Sequence, residues 1–228
     1  MDEHVRRGLE LEARGEWEAA AAEHSVAATE TGAPSCGAEV VFSRSTRSDA
    51  TFRGAISPVL TRLETADVID VEDGEVELMV GDEELLLPVE HVWAVVARDA
   101  QSQSTGALRG ASCLQRLATA ESEVEQADLA ARSSWLAALA LALAQRANDR
   151  AMQLAALKLR TRALLMGGTS LGLAQAGRDI GDAVRLAPAD RSARRLVEAV
   201  KQRRAAAKRK NRKLSREVAT WVRGATDL

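Results

Sequence analysis

MQLAALKLRTRALLMGGTSLGLAQAGRDIGDAVRLAPAD, residues 152–190, decides the fold. Leu154, Leu157, Leu164 and Leu165 recur at helical spacing over Met152–Met166, and Leu173, Ala176, Ile180, Ala183, Val184 and Leu186 do so over Leu173–Ala187. Gly167–Gly172 supplies a turn between the two. Pro188 stops the second helix, because proline disfavours the α conformation in the residue before it. Two antiparallel helices with small residues at their crossing form one unit of a helical repeat. A long basic helix then closes the chain.

The same organisation is predicted at the start. His4–Thr29 reads as a helical hairpin that turns at Gly15-Glu16-Trp17, with Gly8, Ala20 and Ala27 placed where the helices cross. The spacing of Gly8, Leu11, Gly15, Trp17, Ala20 and Ala27 resembles the tetratricopeptide repeat, in which small residues recur at such offsets and an aromatic follows the turn. His4 and His24 stand where that pattern prefers large apolar side chains. Each is read as a helix residue packing on its neighbour, since the sequence places no further ligands at readable spacing.

After Gly32-Ala33-Pro34-Ser35 the period changes from helical to alternating. Strands are predicted at Glu39–Arg44, Thr51–Ile56, Val68–Val71, Glu75–Val80, Glu84–Pro88 and Val92–Ala97, with Pro58–Asp67 as a loop or short helix. Asp73-Gly74 and Gly81-Asp82 are hairpin turns between alternating runs. This insert resembles Tudor-like and SH3-like barrels. An aromatic cage for a methylated cation would have only Phe42, Phe52 and Trp93 to draw on, and these are read as core residues. Gln101–Gly110 (QSQSTGALRG) is a linker by composition. A divergent second hairpin follows, with helices Ser112–Ala127 and Ala130–Ala147.

The expected fold is therefore mainly α: a tetratricopeptide-like array of about three helical hairpins with a small inserted antiparallel β-barrel, α+β overall. Its parts are a first hairpin (1–34), the barrel (35–100), a linker (101–110), the second and third hairpins (111–187) and a basic capping helix (188–228).

The net charge of −2 hides an asymmetry. Residues 1–100 carry 22 acidic and 8 basic side chains, and the remainder carries 11 and 23. Such polarity attracts partners of opposite sign, or the chain's own halves. Two cysteines, Cys36 and Cys113, make no disulfide framework and no zinc spacing, and point to a reducing compartment, cytoplasmic or nuclear. No apolar run reaches the ~18 residues of a membrane span.

No catalytic constellation, cofactor motif or metal site is legible. The expected function is a non-enzymatic adaptor or scaffold that holds a segment of a partner protein in the concave groove of the array. Arg7, Leu11, Gln115, Lys158 and Arg162 are the candidate groove residues. The last repeat and its run into a basic helix resemble the large FKBP-type immunophilins and related co-chaperones. That resemblance implies an acidic chaperone tail held by a carboxylate clamp, for which Lys158 and Arg162 fall at the right places while Val5 and Leu9 cannot donate. In the closing helix, Arg203, Arg204, Lys208, Arg209, Lys210, Arg212 and Lys213 are candidates for contact with RNA or an acidic partner. The alternatives are thus a structural subunit of a larger assembly and, from another class, an enzyme with a hidden site.

Overall fold

The computed structural model describes residues 3–29, 33–43, 63–97, 100–119 and 121–226. Among these lie seven helices: α1 (Glu3–Arg14), α2 (Trp17–Thr29), α3 (Ala100–Ala118), α4 (Glu123–Arg146), α5 (Arg150–Gly167), α6 (Ser170–Leu186) and α7 (Arg191–Thr226). Each packs on the next in chain order, with weaker contacts from α1 to α3, α3 to α5 and α5 to α7. The result is a helical, repeat-like array. Its start and stop signals are local. Asp149 accepts from Met152 N at the head of α5, Thr169 accepts from Gly172 N at the head of α6, and Gly168 leaves α5 at φ 64°.

Between α2 and α3 the described residues form five strands: β1 (Glu39–Phe42), β2 (Glu64–Glu72), β3 (Glu75–Val80), β4 (Glu83–Pro88) and β5 (Val92–Val95). They form an antiparallel sheet in the order β4-β3-β2-β1-β5. Asp73 and Gly74, both at positive φ, make the two-residue turn between β2 and β3. The expected barrel is not there: β4 and β5 end the sheet as two edges and do not pair. Helices take the place of closure. Val41, Leu63 and Ala94 on one face join the core of the array, so α2 and α4 cover that end of the sheet. Val40, Phe42, Val68, Val76 and Leu78 form a separate apolar cluster on the other face. Phe42 is fully buried, as expected of a core residue. The strand expected at Thr51–Ile56, with Phe52, lies outside the described residues. Residues 64–67, expected in a loop or short helix, belong to β2.

The linker expected over 101–110 is the first half of α3. Its serines and glycines do not loosen it; they let it sit close. A Cβ on Gly106 would stand 3.0 Å from Ala27 Cβ and 3.1 Å from the His24 carbonyl oxygen. Gln103 is buried and knits three segments: its Nε2 donates to the carbonyls of Ala28 (3.0 Å) and Val95 (2.9 Å), and its Oε1 accepts from Ala97 N. The array therefore runs from α2 straight into α3, and the sheet is a side excursion that leaves and returns at one point.

Helix α4 is buried nearly all round, with Leu136, Ala137, Leu139, Ala140 and Leu143 at its centre. By length and composition, Val124–Arg146 is also apolar enough to cross a membrane, and 67% of its most apolar window is buried inside the molecule. Alanine, apolar by hydropathy yet easily passed over as a helix former, hides this run from a reading by leucine spacing.

Candidate functional site

Four features carry chemistry. The first is a polar cluster where α1, α2 and α3 meet. His24 is fully buried because Gly8 opposite it has no side chain; a Cβ there would lie 2.4 Å from the imidazole. Its Nε2 is 2.7 Å from Glu12 Oε1, while Arg109 reaches Glu12 Oε2 at 3.2 Å. Cys113, on α3, completes a group in which carboxylate, imidazole and sulfur all lie within 4.8 Å of one another. The partners denied to His24 by sequence spacing are thus supplied by folding, from twelve and eighty-nine positions away.

Such a trio has the composition of a nucleophile, base and carboxylate, or of three metal ligands. Its electrostatics oppose the first. Burial, then the negative Glu12, pushes the Cys113 thiol up to about 12, the reverse of an activated nucleophile. Burial also lowers the His24 pKa, so the ring is neutral at pH 7. Arg109 already supplies the cation that Glu12 requires. The cluster pins three helices together by hydrogen bonds.

The second feature is a cleft of about 690 Å³ between α4, α5 and α6, reached from the sheet side by Leu63. Arg160 and Asp179 line it, 3.6 Å apart and almost completely buried. Gln175 Nε2 donates to Asp179 Oδ1, and burial raises the Asp179 carboxyl. Arg178 donates to Gln175 Oε1 and Arg185 to Asp182. The charges of this cleft are largely matched within it.

The third is the expected groove. Arg7 is exposed, with Nη1 3.4 Å from Glu23 Oε1; His4 and then Arg7 hold the Glu23 carboxyl below its usual range. Leu11 packs partly buried against the core. Gln115 is spent inside the array, donating to the Leu159 carbonyl at 2.7 Å and to Ser133 Oγ at 3.2 Å. Lys158 is likewise engaged, with Nζ 3.0 Å from Asp190 Oδ2 and 3.1 Å from Ser192 Oγ. Asp190 also accepts from Ser192 Oγ and from Ala193 N, and these two donors, then Lys158, hold its carboxyl far below the usual range. Lys158 thereby anchors the head of α7. Arg162 is exposed. Of the five, Gln115 and Lys158 are bonded within the molecule, while Arg7 and Arg162 are exposed.

The fourth is α7 itself, 36 residues long and so about 54 Å. Its first turns bury Ala193 and Val200, with Leu196 and Val197 partly covered, against α5 and α6. Arg204 lies across Gly177, whose missing side chain makes room for the guanidinium. Farther on the helix is exposed, yet its apolar pattern persists: Ala193, Val200, Ala207, Leu214 and Trp221 recur every seven residues, with Val218 four beyond Leu214. Leu214, Val218 and Trp221 are 58%, 52% and 74% exposed. Arg203, Arg204, Lys208, Arg209, Lys210, Arg212, Lys213 and Arg216 flank this seam, and no acidic residue falls among positions 203–216. The basic residues of this surface are those the sequence singles out.

The chain matches no protein-family model, no curated protein and no solved structure.

Proposed function

We propose that the protein is a non-enzymatic adaptor whose docking element is the distal part of α7, carried on a rigid helical array. The observation behind this is the exposed seam Leu214–Val218–Trp221. An apolar stripe that continues the packed heptad of α7 into solvent, with cations on both flanks, suits a partner with an apolar centre and an acidic rim. We read the array as tetratricopeptide-like, supported by successive antiparallel hairpins and by small residues at the closest crossings, Gly8 against His24 and Gly106 against Ala27. We place docking on α7 rather than in the groove expected from sequence, because Gln115 and Lys158 are bonded inside the molecule. The same bond at Lys158 weighs against a clamp for an acidic chaperone tail.

A second reading follows from the cations alone: RNA held by phosphate contacts. Full-length protein and the L214A/V218A/W221A variant, compared in partner capture and in binding of a random single-stranded RNA, separate the two. A protein partner is lost with the triple variant and retained at about 200 mM salt. Single-stranded RNA bound through six to ten phosphates weakens by roughly 10²–10⁴ between about 50 and 200 mM salt. The second pattern overturns the adaptor reading.

A further inference from the structure

We infer that the distal part of α7 seats on the acidic sheet face of a second copy of this chain, so that the protein associates head to tail. This rests on the reading of α7 as a docking element and names its partner.

The complementary surface is built by strand register. Residues directly opposite in a sheet share a face. Asp67 faces Met79, which faces Glu84; Asp70 faces Glu77, which faces Leu86; Glu72 faces Glu75, which faces Pro88. Three rows across β2, β3 and β4 thus carry six carboxylates on one face, with Leu86 at the middle row and 64% exposed. Glu77 and Met79 are half-buried and the other members of the rows are exposed. Two of the pairs, Asp70–Glu77 and Glu72–Glu75, set like charges directly opposite each other, which destabilises a sheet unless a cation relieves it. Residues 63–97 contain eleven acidic side chains and no lysine or arginine. Arg146 of α4 reaches only the near end, paired with Glu39 and acting on Asp67.

Among the described residues, the largest complementary charge lies on α7. Rows two residues apart along a strand are ~6.6 Å apart, so three rows span about 13 Å. Lys208 to Arg216, nine residues and eight helical steps, span about 12 Å. Within that stretch Lys208, Arg209, Arg212, Lys213 and Arg216 recur at spacings of three and four, so they share one side of the helix and are set against the six carboxylates. The sheet packs on α2 and α4 while α7 packs on α5 and α6, so the two surfaces are carried by different helices of the array. A second copy brings them together.

The test is sedimentation velocity on the full chain, at about 50 and about 500 mM salt, where screening lengths differ roughly threefold. Wild type exceeds the 24.4 kDa monomer mass at low salt and returns to it at high salt. A helix variant (K208E/K210E/R212E) and a sheet variant (D70K/E72K/E75K) each lose association by at least tenfold. Mixing the two variants restores it, which a merely unfolded variant does not do. Wild type that stays monomeric at low salt overturns the inference, as does a sheet variant that associates like wild type. If only the helix variant and the L214A/V218A/W221A variant lose capture of another protein while the chain stays monomeric, the adaptor reading stands and this one falls.

Discussion

Residues 101–110 and 203–221 reverse what their compositions suggest. The first stretch, QSQSTGALRG, has the serine, glycine and threonine of a linker, yet it is a helix held against α2 with Gln103 buried at its centre. The second has alanine, lysine, arginine and leucine, all strong helix formers, and it is a helix that almost nothing covers. Intrinsic propensity thus explains the second and not the first. In α3 the helix is fixed by what packs on it, and small residues are the means of approach. In distal α7 it is fixed by its own backbone and side chains.

The sharpest way to break this contrast is to fill the α2–α3 crossing. Gly106→Leu gains about 1 kcal/mol in helix propensity but drives a large side chain into Ala27 and the His24 backbone, and we expect a net loss of about 3 kcal/mol by urea denaturation. Gly181→Ala, on α6 with open space around it, serves as the control and should gain roughly 0.5–1 kcal/mol. A Gly106→Leu protein as stable as wild type would show that α3 is not seated by close approach.

A smaller effect concerns protons. The folded state lowers the His24 pKa below its ordinary 6.5, so below that pH the unfolded chain binds a proton that the folded chain resists. This contribution to stability is complete above about pH 6.5 and declines as the pH falls beneath it. The denaturation midpoint should drop between pH 7.5 and 5.5 in wild type and drop less in His24→Gln.

The smallest effect is expected at Leu214→Pro. Proline breaks the helix there, and helical content by circular dichroism falls, but the unfolding free energy should fall by less than about 0.5 kcal/mol because that turn is mostly exposed. A loss of several times that would mean that distal α7 is part of the core.

Leucine and alanine at helical spacing made α1, α2, α5 and α6 legible, and the Asp73-Gly74 turn with its alternating flanks placed β3 to the residue. Two kinds of information were not local. Whether the sheet closes depends on what covers its faces, and Val41, Leu63 and Ala94 do not announce that they face helices. The grouping of Glu12, His24 and Cys113 depends on α2 meeting α3 across seventy intervening residues. The groove residues show a related limit: a polar side chain on the predicted face, such as Gln115 or Lys158, reads the same whether it awaits a ligand or holds a neighbouring helix.

The two cysteines give this architecture a built-in clock. Cys36 is exposed and Cys113 is sealed beneath α1 and α2 with its proton held tightly. An alkylating reagent should mark the first thiol at once and the second only during the moments when α3 parts from its neighbours. The lag between the two labels measures, in one unmodified molecule, how often the heart of the array opens.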